Sequence, residues 1–190
     1  NQSIEEIYVS PGNAGTSNFE KCICLKPQSQ DDETIISECQ RLQINLVIIG
    51  PEVPLANGLA NKMRDAGLYV FGPSKDGAQL ESSKDWAKAL MIENNIPTAK
   101  YWATSSKEEA LDILQSVNQP LVIKADGLAA GKGVTVCETI EQSKEAIEDV
   151  FSGKFGSAGK KVILEEKIEG PEVSIFALCD GEKLIVLPPA

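Results

Sequence analysis

The sequence contains no histidine. Within its 190 residues this excludes Ser-His-Asp and Cys-His catalytic groupings and any imidazole-ligated zinc. The five cysteines, Cys22, Cys24, Cys39, Cys137 and Cys179, are odd in number and form no Cys-x-x-Cys pair. A thiolate metal site is therefore not expected. Buried free thiols in a reducing compartment, the cytoplasm, are. Positive charge is scarce: 18 Lys and Arg face 28 Asp and Glu, for a formal net charge of −10. That balance argues against a general nucleic-acid or anionic-membrane surface, though not against one local basic site. No apolar run is long enough to span a membrane, and no signal peptide is visible.

What is present is ordinary for a soluble globular chain: 42% hydrophobic and 24% charged residues. The length suits one large domain or two small ones. Strand-like Glu6–Ser10 begins almost at the first residue, and strand-like Lys183–Leu187 lies just before Pro188-Pro-Ala190. With no initiator methionine and no polar tail, a fragment of a longer chain is the expectation.

In the first half, short strands alternate with helices. Ile7–Val9 and Cys22–Leu25 read as strands, with Cys22 and Cys24 on one face. Asp31 or Asp32 caps a helix lined by Ile35, Ile36, Cys39 and Leu42. Leu46–Ile49 reads as a strand buried on both faces, Leu55–Ala66 as a helix stopped by Gly67, and Tyr69–Phe71 as a further strand. The alternation predicts an open, parallel α/β sheet. Ligands bind such sheets outside the carboxyl ends of their strands. Two loops stand there: one with Gly12, Asn13, Gly15 and Thr16, the other with Gly50, Pro51 and Glu52. Plain turn chemistry remains open for both.

Lys75–Leu80 and Ser83–Asn94 are helical in pattern. Lys84, in the first turn of the second helix, opposes the helix dipole, which suits an anion nearby as well as a solvated lysine. Asn94–Pro97 reads as a hinge. The predicted domains are 1–74, an N-terminal α/β part; 75–97, a helical connection; and 98–190, a second lobe. That lobe reads strand (Tyr101–Ala103), helix opened by the capping box Ser106–Glu109, hairpin, helix opened by the capping box Thr139–Gln142, and strand (Val162–Leu164). A second hairpin, Glu172–Leu178 with Lys183–Leu187, is closed by Asp180-Gly181, a type I′ signal.

The most informative stretch is Leu121–Val136. Three apolar residues run into Lys124, followed by a loop with Gly127, Gly131, Lys132 and Gly133, then Val134-Thr-Val136. The spacing is not G-x-x-x-x-G-K-[ST], and Gly133 stands where a P-loop has Ser or Thr. The following residues favour a strand over a helix. A glycine-rich basic flap over phosphates fits, because glycine lets backbone N–H groups approach an anion and lysine adds a point charge. On loop chemistry alone an ordinary hairpin with solvated lysines stays open. An ATP site also needs backbone for adenine and an acceptor for ribose. Glu165, Glu166, Lys167 and Ile168 leave a strand, and Glu172 lies just beyond.

These motifs, in this order, resemble the ATP-grasp enzymes and, within them, the glycinamide ribonucleotide synthetases (phosphoribosylamine–glycine ligases). The resemblance rests on Pro11–Thr16, Gly50–Leu55, Phe71–Pro73, Leu80–Lys84, Ile96–Ala99, Lys124–Val134, Glu165-Glu166 and Gly170–Ser174. It implies ATP-dependent ligation of glycine to 5-phosphoribosylamine in purine biosynthesis. It implies that Lys84 and Lys124 contact ATP phosphates, that the loop with Gly127, Gly131, Lys132 and Gly133 closes over them, that Glu165–Ile168 hold adenine and that Glu172 holds ribose. Gly12, Asn13, Gly15, Thr16, Gly50, Pro51 and Glu52 fall on the phosphoribosylamine side. The resemblance also implies Mg2+ or Mn2+ with ligands beyond residue 190, an incompetent fragment, and a parent chain that can be fused to other purine-pathway domains. Lys167 stands where the family has an aromatic. The alternatives are another ATP-grasp ligase, a non-catalytic nucleotide-binding module, or a plain α/β domain.

Overall fold

In the computed structural model, described for residues 3–26, 31–129 and 131–190, the chain divides into two compact units, 1–87 and 88–190. Each is mixed α/β.

The first unit has two pairs of parallel strands. β1 (Ile7–Val9) pairs with β2 (Cys22–Cys24), and β3 (Val47–Ile48) pairs with β4 (Val70–Phe71). α1 (Asp32–Arg41) starts at Asp31, whose carboxylate accepts from Thr34 N at 2.8 Å and satisfies one of the free N–H groups at the helix start. α2 (Glu52–Ala56) and α3 (Leu59–Asp65) follow, then α4 (Gln79–Ser82) and α5 (Lys84–Glu93). Leu55, Ala60 and Ala78 are buried together against Ile49 and Val70.

Three sequence expectations fail in this unit. The Leu46–Ile49 run is not buried on both faces: Ile48 is 68% exposed. β3 has one partner strand, β4, among the described residues, and none of them buries the Ile48 side chain. The predicted helix Leu55–Ala66 is two helices. It begins early, at Glu52, and breaks at Gly58, whose φ of 90° lies in the left-handed region. The pattern at Lys75–Leu80 is mostly a turn, closed by Ala78 N donating to Ser74 O and Gly77 N donating to Ser74 Oγ; α4 begins only at Gln79.

The second unit contains β5 (Tyr101–Thr104), α6 (Lys107–Val117), β6 (Leu121–Ala125), β7 (Val134–Val136), α7 (Ile140–Phe151) and β8 (Val162–Glu166). Their order is the strand–helix–hairpin–helix–strand order read from the sequence. The sheet order is β5-β8-β6-β7, antiparallel throughout. Alternation decides which side chains go inward. Leu121, Ile123 and Ala125 of β6, with Val162 and Leu164 of β8, form a buried cluster with Ala110 and Leu114 of α6 and Ala146, Ile147 and Val150 of α7. Ser143 fixes α7 to β6, its hydroxyl accepting from Leu121 N at 3.1 Å.

Both helices carry the caps their sequences predict. Ser106 Oγ accepts from Glu109 N at 3.2 Å. Thr139 Oγ1 accepts from Gln142 N at 3.1 Å, while Gln142 Oε1 accepts from Glu138 N at 2.8 Å. Thr139→Ala is expected to lower unfolding stability by about 1 kcal/mol. An unchanged thermal midpoint would show that the cap contributes nothing.

β9 (Ala177–Cys179) and β10 (Leu184–Val186) form the last hairpin. Its turn is not type I′, which needs positive φ at both central residues. Here Gly181 has φ 98°, and no non-glycine residue of the turn is positive. The Asp180 carboxylate closes the turn instead, accepting from the N–H groups of Glu182 and Lys183 at 2.9 and 2.7 Å. Those two bonds hold its pKa below the ordinary value.

Candidate functional site

The face of the β6–β8 ladder opposite the helices carries the charge. Lys124 lies opposite Ile163, and Val122 lies opposite Glu165. Lys124 and Glu165 are thus diagonal neighbours on one face, within reach of long side chains. Lys124 Nζ stands 2.9 Å from Glu165 Oε1. A second ammonium, that of Lys88 in α5, stands 3.1 Å from Glu165 Oε2. Glu165 is only 5% exposed and Lys88 8%, whereas the side chain of Lys124 keeps 24% of its surface open.

The two lysines are held differently. Lys88 Nζ also donates to Thr98 Oγ1 at 2.7 Å and to Ala99 O at 3.2 Å, and it lies 5.7 Å from the centre of the Tyr101 ring. With the ion pair to Glu165 this gives its ammonium three polar partners. Lys124 meets the carboxylate at ion-pair distance, yet Glu165 Oε1 is buried and accepts no hydrogen bond of proper geometry. The contact is therefore ionic rather than directional.

Lys124 sits at the root of the glycine loop. Ala125 N donates to Gly133 O at 2.7 Å, Asp126 N to Lys161 O at 3.0 Å and Lys132 N to Ala129 O at 3.0 Å. Gly127 and Gly131 have φ of 106° and 74°, which a side chain would strain. Gly133 is buried: a Cβ there would stand 2.7 Å from the Ala129 Cβ. Gly131 and Lys132 are exposed at the loop tip. Ala130, inside the predicted loop, lies outside the described residues.

The structure separates the other predicted nucleotide residues. Glu166 points to the opposite face from Glu165. There it lies 3.9 Å from Lys100 and lines a cavity of about 590 Å³ with Trp102, Glu109 and Asp112. Lys167 pairs with Glu138 at 2.6 Å, which raises its pKa above the ordinary lysine value. Ile168 and Glu172 are exposed beyond the strand end. Lys84 is the first residue of α5. It belongs to the first unit, while Lys88, one turn on, opens the second.

In the first unit the loop after β1 is bonded to itself. Asn13 Oδ1 accepts from Gly15 N and Thr16 N at 2.8 and 3.0 Å, and Thr16 Oγ1 accepts from Asn13 N at 2.8 Å. Gly12 has φ 75°, and a Cβ there would stand 2.5 Å from Cys24 Sγ. Gly50 and Pro51 lead into α2, where Glu52 is exposed. Among the described residues, no group of three or more Cys, Asp or Glu stands together to hold a metal ion.

Sequence reasoning missed Lys88. The available signal was helical spacing. Lys88 follows Lys84 by four residues and sits between Ala87 and Met91 on the inward face of α5, an expensive place for an unpaired charge.

The model of the phosphoribosylglycinamide synthetase N domain matches residues 1–81, and that of the ATP-grasp (A) domain of the same synthetase matches residues 82–190. A phosphoribosylamine–glycine ligase of Nostoc sp. is 48% identical over 187 residues, covering 98% of this chain and 44% of the relative. A trifunctional purine biosynthetic protein, adenosine-3, of Chironomus tentans is 42% identical over 193 residues, covering 100% of this chain and 14% of the relative. The crystal structure of a phosphoribosylamine–glycine ligase from Thermotoga maritima superposes with a TM-score of 0.76 at 28% identity, over 97% of this chain and 43% of that one. The chain thus spans less than half the length of these relatives.

Proposed function

Because this chain belongs to the phosphoribosylglycinamide synthetase family of ATP-grasp proteins, we propose that it supplies ATP-binding and substrate-side parts of a phosphoribosylamine–glycine ligase. The observation that carries this reading is the cluster at the root of the glycine loop. Two ammonium groups share one buried carboxylate, and the more exposed of them, Lys124, stands on the strand that leads into the loop. Excess positive charge beside glycine backbone fits a triphosphate. In the proposed reaction a glycine carboxylate oxygen attacks the γ-phosphorus of ATP, releasing ADP and leaving glycyl phosphate. The amine of 5-phosphoribosylamine then attacks that carbonyl, expelling phosphate and losing a proton. No nucleophilic side chain is required, which agrees with a chain lacking histidine. Catalysis of this kind rests on positioning and charge.

Within this proposal Lys124 and Lys84 bind phosphates, and Gly127, Gly131, Lys132 and Gly133 cover them. The backbone from Glu165 to Ile168 meets adenine, and Glu172 meets ribose. The side chains of Glu166 and Lys167 pair with Lys100 and Glu138, so in this reading the two residues meet adenine through their backbone. The loops at Gly12–Thr16 and Gly50–Glu52 serve phosphoribosylamine. Residues 1–74, 75–97 and 98–190 are the corresponding substrate, connecting and nucleotide parts. Mg2+ or Mn2+ accompanies ATP, with its ligands beyond residue 190. The setting is the cytoplasm, and the Chironomus relative is the precedent for fusion with other purine-pathway domains.

The test is ADP release in the presence of ATP, glycine and 5-phosphoribosylamine. The full-length ligase carrying this chain is expected to require both substrates, and residues 1–190 alone are expected to release none. Release without glycine dependence in the full-length protein would remove the proposal. Turnover by residues 1–190 would remove the assignment of essential groups elsewhere.

A further inference from the structure

We propose that Lys88 is a positioning residue that acts as the fixed counter-ion of Glu165 and so leaves the charge of Lys124 available to a phosphate. The inference rests on the reading of Lys124 as a phosphate ligand and extends it to a residue that touches no ligand.

Three features separate the two lysines. Lys88 has three polar partners: Thr98 Oγ1 and Ala99 O accept hydrogen bonds from its nitrogen at 2.7 and 3.2 Å, Glu165 Oε2 is its ion-pair partner at 3.1 Å, and the residue is buried. It cannot turn outward without abandoning all three contacts. Lys124 has one ionic partner, poor alignment toward it, and an open side. Glu165 is therefore answered twice, once by a group locked in place and once by a group able to leave.

The chemistry follows from counting charges. A buried carboxylate needs a cation. With Lys88 present, Lys124 can move toward a phosphate while Glu165 keeps a partner. With Lys88 neutral, Glu165 and Lys124 become a one-to-one pair in a poorly hydrated site. Binding phosphate through Lys124 then means stranding a buried carboxylate, so that carboxylate competes directly with ATP. The effect of Lys88 on ATP should accordingly exist only while residue 165 is charged.

That dependence gives a test which a merely structural role for Lys88 would fail. In the full-length ligase, Lys88→Met is expected to raise the ATP KM about tenfold or more, with a smaller change in kcat at saturating ATP. In the Lys88→Met/Glu165→Gln variant, ATP KM should return to within about threefold of Glu165→Gln alone. A KM unchanged by Lys88→Met overturns the proposal, as does an equal penalty in the glutamate and glutamine backgrounds. If Lys88→Met does not fold, the comparison of the double variant with Glu165→Gln still decides, because neither carries an unpaired buried carboxylate. A tenfold or larger difference between those two overturns the proposal. Lys124→Ala separates the two layers of argument. If it leaves the ATP KM unchanged, the phosphate reading itself fails. If it raises KM while Lys88→Met does not, only the role of Lys88 fails.

Discussion

Lys124→Ala is expected to raise the ATP KM of the full-length ligase about 10- to 150-fold. A charge-assisted hydrogen bond contributes about 1.5–3 kcal/mol, and each 1.4 kcal/mol is a factor of ten. The variant suits the purpose because it does not strand Glu165, whose other oxygen keeps Lys88 at 3.1 Å. The unfolding midpoint should therefore move little, and a loss of ATP affinity can be assigned to the missing ammonium. An unchanged ATP KM, measured by initial rates of ADP release, would sink the phosphate role of Lys124.

The second large effect concerns stability. Ile147 on α7 is fully buried in the cluster that joins the sheet to both helices. Ile147→Ala removes three carbons from a site whose walls are strands and helix backbone, which close over a cavity only in part. The expected loss is about 2–5 kcal/mol. It is read as a shift of the urea midpoint at unchanged slope, followed on Trp102, which packs against the same cluster. A loss below about 1 kcal/mol would mean that the cluster collapses around the gap or does not pack as described.

The second unit was the more legible part of the sequence. Its helices announce themselves by Ser106 and Thr139 with their partners three residues on, and its central strand by an apolar run ending at Lys124. These are local signals, and local chemistry decided the outcome. The errors lie where partners distant in sequence decide. Leu46–Ile49 is as apolar as a buried strand, but burial of Ile48 depends on what packs on the sheet face, which its own residues do not encode. Gly58 was a break inside an apparently continuous helix pattern, and only its left-handed φ identifies it.

The site was legible in the same uneven way. Lys124 and the glycines follow from spacing. The pairing of Lys124 with Glu165 requires the antiparallel register of β6 and β8, which places residues 41 positions apart on a diagonal. Lys88 needs the helix as well. Glu165 and Glu166 look equivalent as letters, yet strand alternation sends them to opposite faces, one into an ion cluster and the other to a solvent cavity.

The glycine loop is hung from two posts of unequal depth. At one end Lys124 and Ala125 belong to β6, which is flanked by β8 and β7 and buried on its helix side. At the other end Val134 begins β7, the edge strand, exposed at every residue. Mechanically this is a cantilever with a stiff root and a compliant far support. The side chains of that edge are exposed, so displacing it would cost less burial than displacing β6. The backbone at Lys124 is held in register by the sheet, while its side chain, in ionic contact with one carboxylate, keeps an open side. Under the proposed reading, such an element would offer a phosphate a movable ammonium carried on a fixed strand.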